Sequence, residues 1–245
     1  MDELRLHVRM ARAGVASRRE CERLIAAGRV AVDGVVVATL GTKVSAANTI
    51  VVDGQTLADG VSSEDRYFAL HKPPGYLCAN IDHRGRPLAI DLLPSPPTAV
   101  RLFHVGRLDL WSEGVILYTS DGDLALRATH PRYEVEKEYL VRSDHIDPRH
   151  LDRYIGDDAP AGLRIRSYRL VDSGAAQITL AEGRNREIRR IFAAGGMRIV
   201  MLRRERIGPV HLDGLERGRY RSLSATEVGW FFRRAASSDP KPGLR

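Results

Sequence analysis

The sequence predicts an α+β protein, a small N-terminal module followed by a larger body with a mixed, mainly antiparallel sheet. Three observations support this class. Two short helical patterns are followed at once by tight hairpins within the first 57 residues. A polar, glycine-containing stretch, "ADGVSSED" at 58–65, reads as a linker. Beyond it, strand patterns outnumber helical ones and are not spaced as repeated βαβ units. The expected organisation is one domain over 1–60, a second over 66–235, and a disordered tail at 236–245.

In the first module Leu6, Met10 and Ala13 recur at helical spacing, with Arg5, Arg9 and Arg12 on a neighbouring face and Gly14 interrupting. Ser17-Arg18-Arg19-Glu20 fits a capping box, in which the serine hydroxyl takes one free amide and Glu20 reaches back to the cap. Cys21, Leu24 and Ile25 form that helix's apolar face, and Gly28 ends it. "RVAVDGVVV" and "TIVVDGQTL" then read as two hairpins turning on Asp33-Gly34 and Asp53-Gly54. No other internal repeat is visible.

The body opens with "RYFALHKPPGYLCA": a strand, a Lys-Pro-Pro-Gly turn and a short apolar run. "LLPSPPTAV" is a second connection, leading into the strand before Asp109. That aspartate lies where an apolar strand gives way to a loop, a junction where a carboxylate needs a partner or a task. Residues 114–119 read as a buried strand, 120–123 as a turn, and 124–129 as one short helix before Pro131. In "EVEKEYLVRS" the period of two puts Val135, Lys137, Tyr139 and Val141 on one strand face. Ile188, Ile191 and Phe192 should anchor a helix starting near Asn185, closed by Gly195-Gly196, and "RIVMLRRERI" reads as a strand.

Composition narrows the function. A net charge of +7 and a pI near 9.7 over 245 residues favour a polyanionic partner, nucleic acid or an anionic membrane surface, with polyphosphate-like small ligands as a further alternative. Residues 182–206 hold eight arginines against three glutamates, so the positive charge is concentrated. Arg186 and Arg190 share an exposed flank of the predicted helix, while Arg189 lies at the margin of its apolar stripe. A helix N-terminus and a strand that both carry arginine suit the phosphate backbone of RNA. No apolar run is long enough to span a bilayer and no signal-peptide pattern is present, so a cytoplasmic protein with no membrane association is expected. Cys21 and Cys78 stand alone and read as buried or incidental thiols. His71, His104 and His130 share no ligand spacing, and no phosphate-cradling glycine loop is found, so no metal and no cofactor are expected.

"ARAGVASRRECERLIAAGRVAVDGVVV" closely resembles the S4 RNA-binding domain, in which two helices and the adjoining loop meet structured RNA. On that resemblance Arg5, Arg12, Arg18, Arg19 and Lys43 are the expected phosphate contacts. "GRLDLWSEGVILYTSDG" resembles the aspartate motif of pseudouridine synthases. "EKEYLV" resembles the strand carrying their active-site tyrosine, and "EGRNREIRRIF" resembles their third motif as used by the branch of RsuA- and RluB-type enzymes. "LHKPPGY" and "LRRERIGPV" agree with flanking patterns. The likeness runs from Leu4 to about Phe232, in order and with the family's spacing. Departures are modest: Val115-Ile116 replaces the usual leucines, and Leu110-Trp111 stands where the family pair is often polar, so Trp111 can alter what packs next to the substrate.

The resemblance implies isomerisation of a specific uridine in ribosomal RNA to pseudouridine. The N1–C1′ bond breaks, the uracil turns, and C5 joins C1′, without a cofactor. Asp109 is the implied carboxylate, acting as nucleophile at C1′ or C6 or stabilising the developing cationic sugar. Arg189 is the implied partner of that aspartate, favouring its ionised form. Tyr139 is implied to stack on the target base, and Leu202 to pack in the pocket. The uridine has to be flipped out, with Arg107 filling the vacated space or holding the backbone. Arg184, Arg186 and Arg190 complete the expected substrate contacts, and Lys72 is given a structural or phosphate role. The expected partner is ribosomal RNA or a ribosomal subunit assembly intermediate, and the expected state is a monomer. Two rivals stand beside this reading. One is a catalytically inactive RNA-binding assembly factor. The other is a glycosidic-bond hydrolase, which usually needs two carboxylates, Glu113 being the only nearby candidate.

Overall fold

The computed structural model describes residues 3–57, 66–94, 101–156 and 159–234. The expected linker at 58–65, most of the second connection and the tail lie outside these residues. Two compact units divide the described chain, one containing 3–57 and the other 66–94, 102–156 and 159–234.

The first unit runs β1 (Leu4–Arg5), α1 (Leu6–Arg12), α2 (Arg18–Ala26), β2 (Val30–Val32), β3 (Val35–Val36), β4 (Lys43–Val44), β5 (Ile50–Val52) and β6 (Gln55–Thr56). β1 pairs with β4, and the other four strands form an antiparallel sheet in the order β3-β2-β5-β6. Both hairpins turn on the expected Asp-Gly pairs, whose residues have positive φ (50° and 82° at Asp33-Gly34, 51° and 79° at Asp53-Gly54), the geometry of a two-residue hairpin loop. Leu6, Met10, Cys21, Leu24, Ile25, Val30 and Ile50 fill its core. The predicted capping box forms by half. Ser17 Oγ accepts from the Glu20 amide (3.1 Å), but the Glu20 carboxylate turns to Arg23 Nη1 (3.0 Å), where a full charge is the stronger attraction.

The second unit carries β7 (Tyr67–Lys72), β8 (Phe103–Val105), β9 (Glu113–Thr119), α3 (Gly122–Thr129), β10 (Lys137–Ser143), α4 (Pro148–Asp152), β11 (Ser167–Asp172), β12 (Ala175–Leu180), α5 (Glu187–Ala194), β13 (Ile199–Ile207), β14 (Val210–His211), β15 (Tyr220–Ser222) and α6 (Ala225–Arg233). Its main sheet has the order β11-β12-β10-β13-β9-β7-β15, with β8 on β9 and β14 on β13. Among the described strands, β9 and β13 form the one parallel pair, so the fold is α+β with a mixed, mainly antiparallel sheet. Successive residues of β9 alternate between two apolar clusters. Ile116 and Tyr118 join Ile188, Ile191 and Phe192 of α5, whereas Val115 and Leu117 join Leu124 and Ala128 of α3 and Phe231 of α6. Helices thus cover both faces of the sheet, and every residue of β9 is buried.

Gly114 is what lets β9 and β13 meet. Its φ is +112°, and a Cβ there would stand 2.2 Å from the Arg204 carbonyl oxygen and 2.5 Å from its nitrogen. Gly114 and Arg204 are register partners, so any side chain would force the two strands apart. α5 begins at Glu187, two residues later than expected near Asn185. Arg186 precedes it in the left-handed region (φ 49°), which breaks the helical path.

Candidate active site

Asp109 sits in a turn pinned from several directions. The Ser112 amide donates to the Asp109 carbonyl (3.1 Å), leaving Leu110 and Trp111 at the centre of the turn. From the end of β7, the Lys72 ammonium donates to the carbonyls of Pro73 (2.7 Å), Leu110 (3.3 Å) and Ser112 (2.8 Å). The Gly75 amide adds a second bond to the Leu110 carbonyl (2.7 Å). Lys72 is completely buried, and burial, helped by the nearby Arg204 charge, lowers its pKa to about 8. Of the two roles expected for Lys72, structure is the one its contacts express.

α5 brings the opposite charge. Ile188, Ile191 and Phe192 are buried, so Arg189 emerges at the edge of the apolar stripe, where the sequence reading put it. Its Nε donates to Asp109 Oδ2 (3.1 Å) and its Nη2 to Ser112 Oγ (2.9 Å). One guanidinium therefore grips both ends of the turn. The approach to α5 is fixed by Glu187, whose buried carboxylate accepts the amides of Arg164 and Arg184 at 3.0 Å each.

The third wall is the sheet. On β10 Tyr139 is the register partner of Arg204 on β13, and Val141 that of Leu202. Opposed residues of an antiparallel pair share a face, so Tyr139, Leu202 and Arg204 look the same way. Arg204 is 2% exposed, and its Nε donates to the Val115 carbonyl (2.8 Å). Its Nη1 makes a long contact to the Tyr139 hydroxyl (3.4 Å), and its Nη2 is buried without a hydrogen-bond partner. Lys137 is also buried, with its Nζ on the Val135 carbonyl (2.9 Å). Burial, with Arg204's charge acting the same way, lowers the Lys137 pKa to about 8.

These walls enclose an open cavity of about 140 Å³. Seven of the eight site residues expected in this unit border it: Arg107, Asp109, Tyr139, Arg184, Arg186, Arg189 and Leu202. Arg190 does not. It stands exposed on α5 outside the lining, because a residue next to Arg189 on a helix is turned by about 100°. The sequence reading missed Ser112, Lys137 and Arg204, which also border the cavity. Ser112 lay within the quoted aspartate motif, and Lys137 had been set on the same strand face as Tyr139. Arg204 lies within the flanking pattern LRRERIGPV, two residues from Leu202, but an arginine within an arginine run gives no sign of its burial.

Among the described residues that border the cavity, Glu187 is the one carboxylate besides Asp109. Glu113 is 3% exposed, lies outside the lining and pairs with Arg217 (2.9 Å). Glu187 borders the cavity, yet both its oxygens hold backbone amides. Among the described residues, no group of three or more His, Cys, Asp or Glu could hold a metal ion, and no helix is long and apolar enough to cross a membrane. In the first unit Arg5, Arg12, Arg18, Arg19 and Lys43 are all exposed. Arg5 and Lys43 are register partners, and Arg18 and Arg19 open α2.

Residues 66–194 match the family model described as RNA pseudouridylate synthase, and residues 4–51 match the S4 domain. The chain is 38% identical to the ribosomal large subunit pseudouridine synthase B of Bacillus subtilis, covering 91% of this chain and 93% of that protein. It is 41% identical to the protein of the same name from Salmonella typhimurium, covering 90% and 79% respectively. A crystal structure of a pseudouridylate synthase superposes with a TM-score of 0.65 at 29% identity, covering 93% of this chain and 99% of the other.

Proposed function

This chain belongs to the RNA pseudouridylate synthase family, whose members isomerise uridine to pseudouridine, and we propose that it acts on a uridine of large-subunit ribosomal RNA with Asp109 as its catalytic carboxylate. The observation that carries the assignment is the two-pronged grip of Arg189 on Asp109 and Ser112, at the mouth of a cavity that also holds Tyr139. The names of the relatives at 38% and 41% identity favour the large subunit, and an enzyme with that substrate works in the cytoplasm.

The target uridine leaves its stack and enters the cavity, with Tyr139 and Leu202 against the base. Asp109, bound by the Arg189 guanidinium, attacks or stabilises the reacting centre as the N1–C1′ bond breaks. The uracil then turns and C5 bonds to C1′. The proton on C5 is released and N1 gains one, so composition is unchanged and nothing is oxidised. Arg204 donates toward the Tyr139 oxygen, which leaves the phenolic proton free to point at the substrate. With Lys137 it also places two buried cations beside the cavity, a setting that stabilises negative charge on the departing base. Arg107, Arg184 and Arg186 hold phosphates around the flipped nucleotide. Arg5, Arg12, Arg18, Arg19 and Lys43 contact phosphates elsewhere, fixing position without reading sequence.

The test is to incubate the protein with transcripts of large-subunit and small-subunit ribosomal RNA and map carbodiimide-modified pseudouridines by reverse-transcription stops. A new stop confined to the large-subunit transcript supports the assignment. A stop confined to the small-subunit transcript overturns the choice of subunit, and release of free uracil overturns isomerisation in favour of hydrolysis.

A further inference from the structure

The turn that presents Asp109 carries a second feature. Its two ends, Asp109 and Ser112, are both bound by Arg189 and border the cavity, whereas Trp111 occupies the tip. Trp111 is 71% exposed, more than any other large apolar side chain among the described residues. It is not a loose surface residue. Lys72 holds the carbonyls on either side of it, Leu110 and Ser112, and Gly75 holds Leu110 again. The indole runs beside the Lys-Pro-Pro-Gly turn, its Cζ3 3.9 Å from where a Cβ on Gly75 would stand. A rigid backbone thus displays a large flat π surface to solvent, one turn away from the reacting carboxylate. The neighbouring lining adds Arg107, Arg184 and Arg186, all exposed and all suited to phosphate.

A flipped nucleotide creates the need that such a surface meets. When the target base leaves its stack, the base beside it loses a stacking partner on one face. An indole held at the rim can take that face, and stacking of this kind tolerates any base because every base has a π surface. The bonds that pin the Asp109 turn fix the Trp111 backbone with it, and the exposed Arg107, Arg184 and Arg186 border the same cavity as Asp109 and Ser112.

We propose that Trp111 stacks on an unpaired nucleobase next to the target uridine and so holds the RNA in register for the reaction. The assignment rests on the isomerase reading of the Asp109 cavity and adds a contact to the RNA outside it.

The experiment compares native protein, Trp111→Leu and Trp111→Phe on an in vitro transcript of large-subunit ribosomal RNA carrying tritium at uracil C5. With leucine, which keeps apolar bulk but has no ring, KM rises about tenfold while kcat changes by less than about threefold. Phenylalanine, which keeps a ring, restores most of the loss. A second readout needs no turnover. The chain has two tryptophans, so in a Trp230→Phe background Trp111 is the sole indole, and saturating transcript quenches its emission. Unchanged KM in Trp111→Leu, or unquenched emission in a protein that binds the transcript, overturns the stacking assignment. Absence of tritium release by the native protein counts against the isomerase reading instead, and the quenching then decides the fate of Trp111 alone.

Discussion

Replacing Arg189 with lysine separates charge from geometry at the active site. In the native protein one planar guanidinium makes two bonds to different residues, Nε to Asp109 Oδ2 at 3.1 Å and Nη2 to Ser112 Oγ at 2.9 Å. A lysine ammonium keeps the charge but lacks the fork that reaches both acceptors. A hydrogen bond to a charged group is worth about 1.5–3 kcal/mol, and this pair is discounted because its side chains are 21% and 32% exposed. Losing one bond should therefore cost about 1 kcal/mol, or about fivefold in kcat/KM. Arg189→Ala loses both bonds and the charge, about 2–3 kcal/mol, which is about 30- to 150-fold. Ser112→Ala alone should cost about fivefold, and in the Arg189→Ala background it should cost almost nothing, because its partner is already gone. Initial rates of tritium release give all four values. If Ser112→Ala costs the same in both backgrounds, the bridge is not what organises Asp109 and the reasoning fails.

Other outcomes follow from the same structure. Gly114→Ala should lose at least about 4 kcal/mol in a denaturant titration, since the new Cβ meets backbone atoms of β13 and not a yielding side chain; a loss under about 1 kcal/mol would mean that the strands separate easily. Lys72 and Lys137 have folded pKa values of about 8 against an ordinary 10.5, so between those values the unfolded chain holds protons that the native one has shed. That contribution to stability rises with pH, by up to about 3 kcal/mol per lysine over the whole window. Thermal midpoints recorded between about pH 7 and 9.5 should climb less steeply in Lys137→Met than in the native protein, and equal slopes would contradict the assignment. Arg18→Ala with Arg19→Ala should weaken binding to all large-subunit transcripts alike and lower the salt slope by about 2 in a filter-binding series. An unchanged slope would remove α2 from the RNA interface.

How far the sequence could be read depended on whether the deciding forces were local. The Asp-Gly hairpins, the buried strand at 114–119 and the apolar face of Ile188, Ile191 and Phe192 follow from turn chemistry and periodicity, and all appear in the fold. The place of Arg189 at the margin of the apolar stripe follows from local periodicity, whereas its pairing with Asp109 was implied by the resemblance. The capping box failed by half because Arg23, three residues along the same helix, competes for Glu20. α5 starts later than expected because Arg186 takes a left-handed backbone beside Glu187, whose carboxylate accepts the amides of Arg184 and of Arg164, distant in sequence. Long-range register hid the rest. Alternation sets Arg204 on the face of Leu202 and Arg203 on the other, but burial of a charged residue there follows only from the pairing of β13 with both β10 and β9. The purpose of Gly114 is equally invisible until its register partner is known. Trp111 was noticed as a departure, but its exposure and its clamped backbone belong to the folded turn.

The central claim is that the Asp109 cavity joins uracil C5 to the ribose, and the most direct measurement is tritium release from C5-labelled large-subunit ribosomal RNA. Native protein should release one tritium for each pseudouridine formed, and Asp109→Asn should bind the same RNA and release none above background. Release by Asp109→Asn at the native rate would contradict the account.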